Sequence, residues 1–162
     1  MRDVVSDDPV LARAIKSALD DLGSPLEDLR RDEMVQGLAD ALAAADTALA
    51  PRRLPARHWR AVARARECLD ANVPKGVRSS ELEALTGLSR YDLARQFRAS
   101  LGTSPYRYLV MRRLDRARAL IRQGKPLADA ALASGFADQS HLTRHFKKAY
   151  GVSPGQWFKI LT

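Results

Sequence analysis

The sequence has one cysteine, few aromatic residues and no long apolar run among its 162 residues. The single Cys68 excludes an internal disulfide and a zinc site built from several cysteines. No stretch approaches the run of about 18 apolar residues that a membrane-spanning helix needs, and the N-terminus lacks a basic segment followed by an apolar one. We therefore expect a cytoplasmic protein without membrane association. The apolar fraction of 46% is nevertheless sufficient to bury a core.

Acidic and basic residues are segregated along the chain. Residues 1–50 hold 5 Lys/Arg and 11 Asp/Glu, a net charge of −6, whereas residues 51–162 hold 22 and 8, a net charge of +14. A strongly basic region suits a nucleic-acid partner, because phosphates that are neutralised by Lys or Arg release counterions. The alternative is a basic protein-interaction module whose cationic face meets an acidic partner without sequence-specific DNA binding.

The spacing of the apolar residues predicts an all-α protein, since no segment alternates apolar and polar residues as a strand does. Residues 1–50 carry two apolar seams, over Leu11–Leu22 and Val35–Leu49, with spacings of three and four residues. These seams predict an acidic helical hairpin. Its helices either pack only on each other or also meet a second copy of the chain, because short seams are marginal without a partner. The second alternative predicts a homodimer through residues 8–49.

A linker and a further helix follow the predicted hairpin. Residues 51–57 contain two prolines, and the charge of the chain changes sign there. We therefore expect an N-terminal segment over residues 1–50 and a second domain over residues 58–162. The basic region starts with a helix predicted from about Ala56 to Ala71, with Trp59, Val62 and Leu69 facing inward.

The basic region then contains a short helix, a glycine turn and a second helix. A serine cap at Ser79–Ser80 opens the short helix, and Gly87, which can adopt the left-handed conformation, closes it. Ser89 caps the second helix. The inward stripe of that helix is Leu93, Phe97 and Leu101. This succession is typical of a helix-turn-helix unit, although many helical hairpins share it.

The same pattern recurs further along the chain. Pro126–Ser134 predicts a short helix, Gly135 a turn, and Asp138–Tyr150 a second helix. Residues 93–109 align with residues 142–158 at a constant offset of 49, which is a two-copy internal repeat. The identical pairs are Leu93/Leu142, Arg95/Arg144, Phe97/Phe146, Gly102/Gly151, Ser104/Ser153 and Pro105/Pro154.

The outward faces of the two second helices suit DNA. Two residues turn a helix by roughly 200°, so the residues that alternate with the buried stripe point away from the core. The outward residues are Tyr91, Arg95 and Arg98 in the first copy and Ser140, Arg144 and Lys147 in the second. Arginine can donate two hydrogen bonds to guanine in the major groove. The phosphate-binding candidates, near the helix starts or along their edges, are Arg90, Arg98, Gln139, His141 and Lys147.

A long helix is predicted between the two copies. It begins at Ser104–Pro105 and runs to about Gln123, a length of about 28 Å at about 1.5 Å per residue. Successive major-groove faces of B-DNA lie about 34 Å apart. A rigid helix of this length suits two reading helices held one turn of DNA apart.

The second copy contains the run Gly135-Phe136-Ala137-Asp138-Gln139-Ser140-His141-Leu142-Thr143-Arg144-His145-Phe146-Lys147-Lys148, followed by Gly151-Val152-Ser153-Pro154. This segment closely resembles the signature of the AraC/XylS family of bacterial transcription regulators. Leu93–Phe97, Gly102 and Ser104–Pro105 resemble the first half of that family's domain. The resemblance covers roughly residues 57–160. It implies two helix-turn-helix units, joined by a long helix, that bind adjacent major grooves of promoter DNA. The base-reading residues that it implies are Tyr91, Ala94, Arg95, Ser140 and Arg144.

A transcription regulator implies promoter DNA and RNA polymerase as partners, and we expect an activator associated with the nucleoid. Many family members carry a metabolite-binding β-barrel followed by dimerising helices, and residues 1–50 resemble the end of such a domain. Glu83 departs from the family pattern, which usually has a small buried residue four positions before the turn glycine. Because a buried carboxylate is costly unless paired, we expect Glu83 at the rim next to an arginine.

Enzymatic and metal chemistry find little support in the sequence. His141 and His145 are four residues apart on one helix, but Leu142 follows His141 where a zinc protease has glutamate, and no third ligand is evident. Glu81 and Glu83 point to different sides of their helix, so they do not form a paired-carboxylate site. We expect no catalytic residue, no bound metal and no cofactor.

Overall fold

The computed structural model of the chain describes residues 28–45 and 58–161, together with the single positions 9 and 12. Over the two longer ranges it contains eight helices and no strand, which confirms the predicted all-α class. The helices are α1 (Asp28–Ala45), α2 (Trp59–Ala71), α3 (Ser79–Thr86), α4 (Arg90–Leu101), α5 (Pro105–Arg122), α6 (Leu127–Ala133), α7 (Gln139–Tyr150) and α8 (Pro154–Leu161). Apart from positions 9 and 12, the first helix of the predicted hairpin lies outside the described residues, as does the linker over 51–57.

These helices belong to two compact units of the chain. The first unit comprises α1, the start of α2 as far as Val62, and residues 78–104 with α3 and α4. The second comprises residues 63–77, with the rest of α2, and the chain from Pro105 onward, with α5 to α8. Each unit contains one predicted helix-turn-helix pair. No helix in the described ranges has the length and apolarity needed to cross a membrane.

The first unit is built on the apolar stripes that the spacing predicts. Helices α3 and α4 pack on each other, and Leu82 of α3 and Leu93 and Phe97 of α4 are each at most 2% exposed. Helix α1 packs against both α3 and α4, with Leu29 and Ala41 buried. The predicted seam of α1 is on another face, because Val35 and Leu42 are 52% and 57% exposed.

The second unit forms around the long helix α5, which packs against α6, α7 and α8. Its central side chains, all buried, are Leu109, Leu114, Ala117 and Ile121 of α5 and Leu142 and Phe146 of α7. Arg113 of α5 is also buried, and its Nε donates a hydrogen bond of 3.0 Å to the carbonyl oxygen of Val73. The loop after α2 is therefore attached to the middle of α5.

The two turn positions require glycine for different reasons. Gly87 closes α3 with φ of +71°, a left-handed conformation that other residues rarely adopt, but a Cβ added there would lie in open space. Gly135 has φ of +90°, and a Cβ there would lie 2.4 Å from the carbonyl oxygen of Pro74. The turn of the second unit thus depends on both the conformation and the small size of glycine.

Three local expectations were wrong. Trp59 was expected to face inward, but it is the first residue of α2 and is 64% exposed. Leu101, the last residue of α4, is 38% exposed because the helix ends there. The residue that precedes α3 is Arg78, which makes no side-chain cap hydrogen bond. The hydroxyl of Ser79 instead donates a hydrogen bond to the carboxylate of Asp32 in α1. The serine that was expected to cap α3 therefore binds a residue distant in the sequence.

Candidate nucleic-acid interface

Helix α4 presents the first set of predicted base-reading residues. Its N-cap is Ser89, whose Oγ accepts a hydrogen bond of 3.2 Å from the backbone N–H of Asp92. Tyr91 is 45% exposed, whereas Ala94 and Arg95 are partly buried. Tyr91 and Arg95 lie on the side of α4 opposite its buried stripe, whereas Ala94 lies on the flank, about 100° around the helix from Leu93.

Arg95 is held by a neighbour on its own helix. Its guanidinium pairs with the carboxylate of Asp92, one turn earlier, and its side chain is only 24% exposed. The arginine that the resemblance assigns to base reading in the first unit is therefore restrained by an acidic residue.

Arg90, at the start of α4, is bound by two carboxylates. Its backbone N–H donates a hydrogen bond of 2.7 Å to Glu83, and its guanidinium lies 3.1 Å from Glu83 and 3.3 Å from Asp32. The hydrogen bonds from the side chain and then the backbone of Arg90 lower the pKa of the Glu83 carboxyl. Hydrogen bonds to Glu83 and Asp32 raise the pKa of the Arg90 guanidinium. The expectation that Glu83 lies beside an arginine is confirmed, and Glu83 joins α3 to α4.

Arg98, on the edge of α4, also meets an acidic side chain. Its guanidinium lies 3.3 Å from the carboxylate of Asp40 in α1. Glu33, also in α1, accepts a hydrogen bond of 3.0 Å from the hydroxyl of Ser104, directly after the turn that ends α4. These contacts with α1 were missed by the sequence reasoning. The one available signal was the opposite charge of residues 1–50 and 51–162.

Helix α7 presents the second set of predicted residues. Its N-cap is Asp138, whose carboxylate accepts a hydrogen bond of 2.7 Å from the backbone N–H of His141. Leu142 and Phe146 are completely buried. Ser140, Arg144 and Lys147 are exposed on the other side of the helix, and Gln139, its first residue, is exposed as well. The structure thus brings four of the five predicted DNA-contacting residues of this helix onto its accessible surface.

His141, the fifth, faces the interior of the second unit. It is 7% exposed, and its ring packs edge-on against Phe136 with 5.5 Å between the ring centroids. Its Nδ1 accepts a hydrogen bond of 3.3 Å from the backbone N–H of Ala137, and its Nε2 lies 2.9 Å from Nε2 of His145. The histidine pair therefore fastens the turn to α7. Within the described ranges, no group of three or more His, Cys, Asp or Glu side chains could hold a metal ion.

An aromatic cluster supports the far end of α7. Phe146 lies 4.6 Å from Tyr150 and 5.6 Å from Trp157 between ring centroids. The guanidinium of Arg118, on α5, lies 5.1 Å from the centre of the Tyr150 ring and 5.2 Å from that of Trp157. These contacts connect α5, α7 and α8 around the C-terminal end of the reading helix. The sequence reasoning did not identify Arg118 or Trp157.

Each unit therefore contains a short helix, a glycine turn and a capped second helix with a buried apolar stripe and polar residues opposite it. This arrangement defines a helix-turn-helix DNA-binding domain with two reading helices.

Comparison with known proteins agrees with this class. The family model described as "Helix-turn-helix domain" matches residues 82–160. The HTH-type transcriptional regulator MtrA of Neisseria gonorrhoeae is 32% identical over 80 residues, which are 49% of this chain and 27% of MtrA. A transcriptional regulator from Chromobacterium violaceum with an AraC-type DNA-binding domain superposes with a TM-score of 0.56 at 28% identity, over 60% of this chain and 88% of that structure. The DNA-binding domain of AdpA, solved with a target DNA, gives a TM-score of 0.52 at 25% identity, over 65% and 93%.

Residues 82–160 form a helix-turn-helix domain that is similar to the DNA-binding domains of AraC-type transcription regulators. The chain spans between 24% and 36% of the length of the first curated relatives that it matches. The shared part is the double helix-turn-helix region, and the relatives have further sequence that this chain does not match.

Proposed function

We propose that this protein is a sequence-specific regulator of transcription that binds double-stranded promoter DNA and reads two successive major grooves. The observation that carries the proposal is the exposed polar face of α7, where Ser140 and Arg144 lie above the buried Leu142 and Phe146. The repeat places a second such face on α4. The similar DNA-binding domain of AdpA was solved in complex with a target DNA, which supports DNA binding by this fold.

The residues have distinct roles in this proposal. Arg144 reads guanine through two hydrogen bonds, and Ser140 donates to or accepts from a neighbouring base. In the first unit Tyr91 and Arg95 contact base edges, and Ala94 offers a methyl contact. The proposed phosphate ligands are Arg90, Arg98, Gln139 and Lys147. Their contacts would position the reading helices without carrying sequence information. His141, which was expected among them, is buried and its ring nitrogens bind Ala137 and His145, so it is not proposed as a ligand.

The length of helix α5, which connects the two helix-turn-helix pairs along the chain, supports the proposal that they read successive major grooves. Helix α5 has 18 residues, which correspond to about 27 Å at about 1.5 Å per residue. That length is close to the separation of about 34 Å between successive major-groove faces. We propose that binding covers one face of the duplex, with the two half-sites about 10 base pairs apart.

The experiment starts with selection of preferred duplexes from a random pool, followed by footprinting on the selected site. Five base pairs, about half a turn of DNA, are then inserted between the two protected elements. Binding should fall sharply, because the insertion rotates one element to the opposite face of the duplex. Unchanged affinity would show that only one unit reads the DNA. Failure to select any sequence, with weak salt-dependent binding to all duplexes, would favour the basic protein-interaction module instead.

We also propose that the protein forms a homodimer through residues 8–49 and acts with RNA polymerase as a cytoplasmic, nucleoid-associated activator. The exposed Val35 and Leu42 on α1 support the dimer, since they leave an apolar edge available to a second copy. Sedimentation equilibrium of the wild type and of the Val35→Ser, Leu42→Ser double variant tests it. A monomer at every concentration for the wild type would contradict the dimer.

A further inference from the structure

Helix α1 lies alongside the first reading helix, α4, with a constant offset between paired residues. Asp32 pairs with Arg90, and Asp40 with Arg98, each at 3.3 Å. Both pairs are separated by 58 positions in the chain, and each helix places its two partners eight residues apart. The two helices therefore run in the same direction, and α1 follows one edge of α4 for about 12 Å at about 1.5 Å per residue.

The side chains of the first unit that donate hydrogen bonds to α1 are of the kinds that bind DNA phosphates. Asp32 accepts from the hydroxyl of Ser79 at the start of α3 and from Arg90, and Glu33 accepts from the hydroxyl of Ser104. Arginine, serine hydroxyls and helix starts are typical phosphate ligands in protein–DNA complexes. A carboxylate and a phosphodiester present the same kind of acceptor oxygen to these donors. The acidic side chains of α1 thus take positions that phosphate oxygens would take.

The second unit does not share this arrangement. The repeat offset of 49 makes Gln139 the equivalent of Arg90 and Lys147 the equivalent of Arg98. Gln139 and Lys147 are both exposed. No carboxylate of the described residues pairs with Lys147, and no helix corresponds to α1 beside α7 in the part of the chain that the structure describes. The two reading helices are therefore unequal in their access to phosphate.

We propose that α1 is an intramolecular competitor of DNA for the first helix-turn-helix unit. The second unit binds DNA without hindrance, and the first unit engages its half-site only when α1 leaves Arg90 and Arg98. This inference rests on the proposed function. It adds a regulatory role for the acidic N-terminal segment, since any partner or ligand that stabilises α1 elsewhere would increase DNA affinity.

The first test removes the two carboxylates from the full chain by the double substitution Asp32→Asn, Asp40→Asn. The control double variant Asp28→Asn, Glu67→Gln changes the net charge equally. Asp28 pairs with Arg31 on its own helix, and Glu67 is an exposed residue of α2. Fluorescence anisotropy with a random-sequence duplex of about 30 base pairs gives affinity as a function of salt.

The test variant should bind more tightly than the control and with a steeper salt dependence. Two additional phosphate contacts steepen the slope of log K against log salt by about 1.8, an affinity gain on the order of tenfold near physiological salt. Equal affinities and slopes for the two variants would overturn the proposal, because net charge alone would then explain the gain. Reduced affinity with a lowered Tm would also overturn it, because α1 would then be a structural support that the first unit needs.

A second test uses the wild-type protein and hydrogen exchange of backbone amides with and without the same duplex. Residues 28–45 should lose protection on DNA binding, while residues 139–150 gain it. Unchanged or increased protection in α1, with protection gained in α7, would overturn the competition while leaving the proposed function intact. No gain of protection in α7 would overturn the proposed function, and the competition with it.

Discussion

The carboxylate of Glu83 accepts one hydrogen bond from the backbone N–H of Arg90 and two from its guanidinium. Glu83 lies on the first helix of the first helix-turn-helix unit, and Arg90 is the first residue of the second helix. The side chain of Glu83 thus accepts from a backbone N–H at the start of α4 that has no partner within that helix. The same side chain connects α3 to α4.

Removing this carboxylate should loosen the first unit. We expect Glu83→Ala to lower the free energy of unfolding by about 1 kcal/mol, since it removes a contact to a helix start and a half-exposed ion pair. Glu81→Ala is the matched control, because Glu81 pairs with Arg78 only across one exposed turn. Urea denaturation of both variants measures the difference. Equal losses in the two variants would show that Glu83 contributes no more than a surface ion pair.

The stabilisation by Glu83 should depend on pH in a defined direction. Arg90 lowers the pKa of the Glu83 carboxyl below its ordinary value of 4.5. A group with a lowered pKa in the folded state stabilises the protein fully above its unfolded pKa, and the effect is lost as the pH falls through the folded pKa. The Tm difference between the wild type and Glu83→Gln should therefore be largest near neutral pH and shrink below about pH 4.5. A difference that grows on acidification would refute this assignment.

Arg144 should carry base specificity in the second unit. We expect Arg144→Ala to weaken binding to the selected site by about 1–3 kcal/mol and to relax the preference at one base pair. Lys159→Ala, at an exposed position in α8, removes the same charge away from the reading face and should cost much less. Competition assays with single-base variants of the site measure both effects. Equal weakening on the selected site and on random DNA would mean that Arg144 contacts only phosphate.

The two left-handed glycines of the second unit should respond differently to alanine. Gly151 ends α7 with φ of +77° and open space around it, so Gly151→Ala should cost about 1–2 kcal/mol for the conformation alone. Gly135→Ala adds a collision with the carbonyl of Pro74 and should cost about 1–3 kcal/mol more. Chemical denaturation of the two variants gives the comparison. A smaller loss for Gly135→Ala would show that the loop after α2 moves aside easily.

Local patterns were sufficient to predict the reading helices. The offset of 49, the glycine turns and the stripes through Leu93 and Leu142 all arise from contacts within a few residues along the chain. Because the helical period places every third or fourth residue on one face, the buried and outward sides of α4 and α7 followed from spacing alone.

The position of a helix end or a distant partner could not be predicted in this way. Trp59 fits an inward period, but it begins its helix, and no element within the described residues covers it sufficiently to bury it. His141 lies between outward residues in the sequence, yet its ring packs against Phe136. The ring also accepts a hydrogen bond from the backbone N–H of Ala137, in the turn before the helix.

The sequence by itself determined the all-α class, the doubled helix-turn-helix and the resemblance to AraC-type regulators, because each depends on residues close together in the chain. Only the tertiary structure decided that α1 packs on the first unit, with Asp32 against Arg90 and Asp40 against Arg98. Segregated charge indicates attraction between two segments, but it does not specify which side chains meet across 58 residues. The side chains that pair depend on how α1 packs, because the burial of Leu29 and Ala41 fixes the register of α1 against α3 and α4.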